Sequence, residues 1–131
     1  MIKLSAKSKL ITYLINMPVT NLDDRALQTV GLAYLAADLD QNGFNVKIID
    51  GGGIDKHASY DTIKNEILTI RPNNIGFYVM ELNSAITLKL IHDLKQIYKF
   101  QAFLGGPQPS LQGYDIIDNN LDVDFVVCGE A

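Results

Sequence analysis

The chain has 131 residues, which is enough to bury a hydrophobic core without a metal or disulfide framework, so we expect one domain over residues 1–131. Hydrophobic residues make up 47% and charged residues 20%, a composition that excludes disordered and fibrous classes. The net charge of −4 offers no general attraction to phosphate backbones and argues against nucleic acid as a partner. With a single cysteine, no export signal and no membrane-spanning run, we expect a cytoplasmic protein that does not enter a membrane.

The first half of the chain predicts two strands and two helices. Residues 10–15 form a continuous apolar, β-branched run, typical of a strand buried on both faces, and residues 46–49 form the second strand. The first helix is predicted from Asp23 or Asp24 to Asn42, with its sheet-facing stripe at Leu27, Val30, Tyr34, Leu35 and Leu39. The second helix ends at Pro72 and carries Ile63, Ile67 and Ile70.

The second half repeats the alternation. Strands are predicted at residues 75–80, 102–104 and 124–127. Between the first two of these lies a helix with apolar residues at helical spacing: Leu88, Ile91, Leu94 and Tyr98. A weaker helix, interrupted by Gly113, is predicted over residues 109–120.

This order of elements predicts an α/β fold. Strands that alternate with helices and lack polar alternation specify a parallel sheet with helices on both faces and right-handed crossovers. We expect a flavodoxin-like, Rossmann-like, doubly wound sheet of five strands in the order 2-1-3-4-5. Ligands of such folds bind at the carboxyl ends of the strands, at the switch point between strands one and three.

The loops at those strand ends disfavour phosphate-based cofactors. The loop after strand one, Asn16 to Leu22, has no glycine fingerprint for a dinucleotide, and the chain has no P-loop. Gly51, Gly52 and Gly53 follow strand two, where they indicate a flexible turn. A lone Thr20 is weak support for a flavin mononucleotide site, and the acidic cluster of a phosphoacceptor domain is missing.

Two glycines and a proline follow strand four. Gly105 and Gly106 carry no Cβ, so a bulky ligand can approach the backbone there, and Pro107 then stiffens the turn. This feature predicts a ligand site at the strand ends.

The chain resembles, over most of its length, the cobalamin-binding domain at the N-terminus of many cobalamin-dependent radical S-adenosylmethionine proteins. The resemblance lies in the order and spacing of these segments: Gly31-Leu32-Ala33-Tyr34-Leu35-Ala36-Ala37, Gly43-Phe44-Asn45-Val46 with Ile49-Asp50, Arg71-Pro72-Asn73-Asn74-Ile75-Gly76, Leu104-Gly105-Gly106-Pro107-Gln108-Pro109, and Val123-Asp124-Phe125-Val126-Val127-Cys128-Gly129-Glu130.

The resemblance implies cobalamin across the strand ends, with its nucleotide tail toward the sheet. Apolar contacts to the corrin ring are expected from Met17, Pro18, Val19, Met80, Leu82 and Pro107. Hydrogen bonds are expected from Asn16, Glu81, Asn83, Ser84 and Gln108. Gly105 and Gly106 would lie against the ligand, and Cys128, Gly129 and Glu130 complete the same edge.

Two departures from related families shape these expectations. Cobalamin domains of the methionine-synthase and mutase type ligate cobalt through a histidine after strand one, and residues 16–22 contain no histidine, so no metal-ligating residue is assigned. Family members commonly continue into a radical domain with a three-cysteine iron-sulfur motif, whereas this sequence stops at Ala131 and resembles an excised domain. The parent would then hold a [4Fe-4S] cluster and S-adenosylmethionine.

Three functions stay open at this point. The first is a cofactor module, without catalytic residues or activity of its own, for a parent radical S-adenosylmethionine methyltransferase. The second is a degenerate domain that keeps the fold as a docking or substrate-recognition surface and no longer binds cobalamin. An isolated enzyme ranks last, because no nucleophile and base pair is recognisable.

Overall fold

The computed structural model describes residues 10–18, 30–51, 59–80, 83–106, 120 and 122–127. The elements are listed here in chain order: β1 (Ile11–Asn16), α1 (Val30–Gln41), β2 (Asn45–Asp50), α2 (Tyr60–Ile70), β3 (Asn74–Tyr78), α3 (Ser84–Lys95), β4 (Gln101–Gly105) and β5 (Phe125–Val126). None of the helices in these ranges combines the length and apolar character needed to cross a membrane.

The strands form one parallel sheet in the order β2-β1-β3-β4-β5, which confirms the predicted flavodoxin-like fold. The crossovers β1–α1–β2 and β2–α2–β3 run in opposite directions across the sheet. Right-handed connections therefore place α1 on one face and α2 and α3 on the other.

The main hydrophobic core lies between the sheet and the helices α2 and α3. Alternate residues of the central strands point into it: Tyr13, Ile15 and Met17 from β1 and its end, Ile75, Phe77 and Val79 from β3, and Ala102 and Leu104 from β4. The helices contribute Ile63, Ile67, Leu90, Ile91 and Leu94. Ile70, predicted with them, is 44% exposed.

The predicted face of the first helix is wrong at Tyr34 and Leu35, whereas Leu39 is partly buried as predicted; Leu27 and the side chain of Val30 lie outside the described residues. Tyr34 is 75% and Leu35 is 39% exposed, whereas Leu32 is buried and Ala36 and Leu39 are partly buried. These three lie at positions i, i+4 and i+7, so they form one helical stripe. The helix is apolar around most of its circumference, and its periodicity alone therefore does not select the buried face.

The other boundaries differ from the predictions by one or two residues. β1 extends through Asn16, β3 begins at Asn74 and stops at Tyr78, and β5 is limited to Phe125–Val126. These ends are set by pairing between neighbouring strands, which an apolar run does not report. The helix predicted over residues 109–120 and the start of the first helix lie outside the described residues.

A charged clamp joins α3 to the last two strands at the amino edge of the sheet. Lys95 Nζ donates to Asp124 Oδ2 over 2.7 Å and also to the backbone oxygen of Phe100. The same carboxylate oxygen accepts from the backbone N–H of Ala102 over 2.8 Å. Burial opposes ionisation of Asp124, but the hydrogen bonds from Lys95 and Ala102 outweigh it and hold the Asp124 pKa below its ordinary value of 3.8.

We predict that Asp124→Asn lowers the stability of the domain at neutral pH and flattens the acid limb of its stability curve. Because the folded pKa is depressed, the contribution of Asp124 is complete above about pH 4 and disappears as the pH falls through the lower folded value. Urea unfolding from pH 7 to pH 2 measures it. Parallel curves for the native chain and the variant would contradict this role.

Candidate functional site

The ends of four strands lie in one row at the carboxyl edge of the sheet. The register pairs Asn16 with Asp50 on one side and with Tyr78 on the other, and Tyr78 with Gly105. The ladder continues one step further, since Gly51 N donates to Asn16 O over 2.8 Å and Val79 N donates to Gly105 O over 2.7 Å. The switch point of the sheet therefore lies beside Asn16.

A chain of side-chain hydrogen bonds, which we call the amide relay, runs along this row through Asp50, Asn16 and Asn83. Asn16 Nδ2 donates to Asp50 Oδ1 over 3.0 Å, and Asn83 Nδ2 donates to Asn16 Oδ1 over 3.1 Å. Asn16 and Asn83 are both 0% exposed. Buried amides require partners, and here each amide is the partner of the other.

Asn83 also binds the backbone of the loops around it. Its Nδ2 lies 3.2 Å from Tyr78 O and 3.4 Å from Met17 O, and its Oδ1 accepts from Met80 N over 2.9 Å. Thr87 Oγ1, one turn into α3, donates to Asn83 O over 2.7 Å. The end of β1 and the loop after β3 are therefore joined through the Asn83 side chain, and the first turn of α3 is joined to the Asn83 backbone.

Gly51 allows the end of β1 to fold across the end of β2. A Cβ at this position would lie 2.8 Å from Pro18 Cδ and 3.0 Å from Asn16 O, closer than Cβ contacts allow. Gly51 lies in a turn, as the sequence indicated, and it packs against Pro18. Gly52 and Gly53 lie outside the described residues.

The two glycines after the fourth strand differ in what surrounds them. At Gly106, φ is +104° and a Cβ would lie 2.8 Å from Val79 O, so the protein itself requires glycine. At Gly105 the backbone does not have a positive φ, and apart from Gly105 itself and its two chain neighbours no heavy atom of the described residues lies within 4 Å of the position that a Cβ would take. Gly105 thus presents bare backbone to open space at the end of β4.

The other predicted site residues take different positions. Pro18 and Met80 are partly exposed at the edge, and Ser84 begins α3. Met17 is 0% exposed and packs in the core, so in this conformation Met17, Asn16 and Asn83 present no surface to a ligand. The remaining predicted residues lie outside the described part of the chain: Val19, Glu81, Leu82, Pro107, Gln108, Cys128, Gly129 and Glu130.

The described histidine lies away from this edge. His92 is in the last turn of α3, toward the amino edge of the sheet, where its Nδ1 lies 2.9 Å from Asp122 Oδ2. Within the described ranges, no group of three or more His, Cys, Asp or Glu residues could hold a metal ion.

Sequence reasoning missed Asp50 and Thr87 as partners of Asn16 and Asn83. A signal for Asp50 was present, because an acidic residue directly follows the apolar strand and must lie at the same edge as Asn16. Thr87 carries no such signal, because the partner of its hydroxyl can be identified only once the structure shows that Asn83 directly precedes α3.

Comparison with known proteins assigns the family. A family model described as "B12 binding domain" matches residues 24–131. The chain belongs to the B12-binding domain family. The expected cobalamin-binding domain is thereby confirmed at the level of the family. No curated protein matches the chain.

Solved structures agree with this B12-binding domain fold. One is the cobalamin-dependent S-adenosylmethionine radical enzyme OxsB with aqua-cobalamin bound, at 17% identity and TM-score 0.75 over 93% of this chain. Another is OxsB with aqua-cobalamin and S-adenosylmethionine bound, at 15% identity and TM-score 0.74 over 89% of this chain. This chain spans 17% of the length of either OxsB chain.

The described edge fits a large, mainly apolar ring bearing amide groups. Pro18 and Met80 offer partly exposed apolar surface, and Gly105 leaves space that any side chain would fill. A B12-type cofactor is therefore compatible with the shape and polarity of the residues present.

We predict that alanine lowers the stability of the domain at Gly106 but leaves it almost unchanged at Gly105. Gly106→Ala should destabilise the domain by about 2–3 kcal/mol, because it forces a positive φ and a contact with the Val79 carbonyl. Gly105→Ala should change stability by no more than about 0.5 kcal/mol, since the added methyl meets open space. Chemical unfolding of both variants measures the difference, and equal losses would contradict the described geometry.

Proposed function

We propose that this domain holds cobalamin at the carboxyl edge of its sheet, as the cofactor module of a radical S-adenosylmethionine enzyme. The observation that carries the proposal is the bare backbone of Gly105, which lies in register with Tyr78 and opens onto the edge. No partner among the described residues requires glycine at this position, which supports the close approach of a ligand there.

Residues at the carboxyl edge make different kinds of contact with the ligand in this proposal. Pro18 and Met80 supply apolar contact on either side of the switch point, and Gly105 lets the ligand rest on β4. Ser84 and the predicted loop residues Glu81 and Gln108 supply hydrogen bonds to amide groups at the rim. The remaining contacts stay predictions from the sequence: Val19, Leu82, Pro107, Cys128, Gly129 and Glu130.

The domain acts by positioning rather than by catalysis. Bound cobalamin supplies a cobalt centre that carries a methyl group, which suits a methyltransferase. The chain is one domain of a longer polypeptide, and its radical domain holds the iron-sulfur cluster and S-adenosylmethionine. The structural likeness to OxsB, an S-adenosylmethionine radical enzyme seen with aqua-cobalamin bound, supports this context.

We predict saturable binding of hydroxocobalamin, with a shifted absorbance spectrum and co-elution of colour with protein in gel filtration. Gly105→Val should weaken that binding by about 10- to 100-fold, because the side chain occupies ligand space. Gln101→Val is the matched control, since it places a valine on the same face of β4 at the opposite end of the strand.

Loss of affinity in both variants would point to damage to β4 rather than to its carboxyl end. Equal affinity of the native chain and Gly105→Val would contradict the proposed contact. If neither this domain nor the longer parent binds hydroxocobalamin, the cofactor function itself is wrong.

Docking is the second candidate function, and the exposed side of α1 favours it. Tyr34 and Leu35 lie on the surface of a helix whose other side covers the sheet. Apolar side chains exposed together are typical of a protein contact. Tyr34→Arg would then weaken association with the rest of the parent while leaving the hydroxocobalamin titration unchanged.

A further inference from the structure

We infer that Asn16 and Asn83 are positioning residues, whose buried amides order the loops that surround the ligand without touching it. The inference rests on the proposed cobalamin site for its functional consequence. Its structural part, the ordering of the loops, stands on the amide relay alone.

The direction of every hydrogen bond in the relay is fixed by its two ends. Asp50 is a carboxylate and only accepts, so Asn16 must turn its NH₂ toward Asp50 and its oxygen toward Asn83. Met80 N–H only donates, so Asn83 must turn its oxygen toward Met80 and its NH₂ toward Asn16. The two requirements agree, and the relay has one consistent orientation.

The Asn83 side chain takes part in this relay and does not cap its own helix. It occupies the N-cap position of α3, where an asparagine side chain commonly accepts from the first turn of the helix. Here the side chain makes no capping hydrogen bond to that described turn, and its oxygen accepts from Met80 N instead. The amide therefore holds the loop after β3 in place of its own helix.

The relay reaches all the loops at the switch point. Asp50 belongs to the end of β2, Asn16 to the end of β1, and Met80 to the loop after β3. Breaking the relay leaves buried donors and acceptors unpaired, and the loops then move to satisfy them. A ligand that binds only one arrangement of these loops must then order them. The free energy spent on that ordering weakens its affinity.

A charge swap tests this directly. Asn16→Asp places a second carboxylate against Asp50 and should weaken hydroxocobalamin binding by about 30-fold, the effect of losing a buried charged hydrogen bond. Adding Asp50→Asn restores the relay, because Asn at position 50 donates to Asp at position 16, which also accepts from Asn83. We expect the double variant to bind within about 3-fold of the native affinity.

The control is Asn73→Asp, the same substitution at the amino edge of the sheet. Asn73 Oδ1 accepts from Ile11 N over 2.9 Å, and a carboxylate can accept equally well. This variant should bind hydroxocobalamin like the native chain.

The swap also separates positioning from contact. If Asn16 touches the ligand through its amide, the folded double variant stays weak although the relay is restored, and the inference is overturned. Native-like binding by Asn16→Asp alone would overturn it too. Should the single variant fail to fold, a double variant that is no more stable would contradict the relay.

Hydrogen exchange without ligand provides an independent readout. The Met80 amide donates to Asn83 and the Gly51 amide to Asn16 O, so both should be protected in the native chain. Both should exchange at least 10-fold faster in Asn16→Asp and recover in the double variant. Unchanged protection would overturn the ordering role, whereas failure of the native chain to bind hydroxocobalamin would overturn only the proposed cofactor function.

Discussion

The side-chain amides of Asn16 and Asn83 meet in a fully buried space between the ends of β1 and β3. Each must satisfy all of its hydrogen-bonding groups inside the protein, because water does not reach them. The hydrogen bonds of the amide relay satisfy them and run from the Asp50 carboxylate at one end to the Met80 N–H at the other. The described ends of β1, β2 and β3 depend on this constraint, since they contain its donors and acceptors.

The open part of the edge lies beside this fixed frame. Gly106 is required by the protein, because its φ is positive and Val79 is close, whereas Gly105 faces space. A rigid frame next to bare backbone suits a large, preformed ligand, whose affinity benefits when the loops need no reordering. The described geometry and membership of the B12-binding domain family thus point to the same class of ligand by independent routes.

The fold could be predicted from the sequence because buried parallel strands read as continuous apolar runs, and five of them alternate with helical patterns. The position of Leu35 relative to the buried face of α1 could not be predicted, since Leu35 is as apolar as Leu32 and Leu39, yet it is exposed. The sequence predicted a site at the carboxyl edge, but it did not reveal that Asn16 and Asn83 are partners of each other. Residue type shows that an amide can bind a ligand, whereas only the register and the loop path show that these two bind each other. The packing of Gly51 could not be predicted for the same reason, because the neighbour that excludes a side chain is Pro18, far away in sequence.

The central claim is that cobalamin lies at the carboxyl edge of the sheet, on Gly105 and beside Pro18 and Met80. The most direct measurement is amide chemical-shift mapping by NMR as hydroxocobalamin is added to the isotope-labelled domain. The account predicts the largest shifts at Gly51, Met80, Gly105 and Gly106, with little change at Asn73 and Gln101 on the amino edge. Shifts concentrated at the amino edge or on α1, with the carboxyl edge unchanged at saturation, would contradict it.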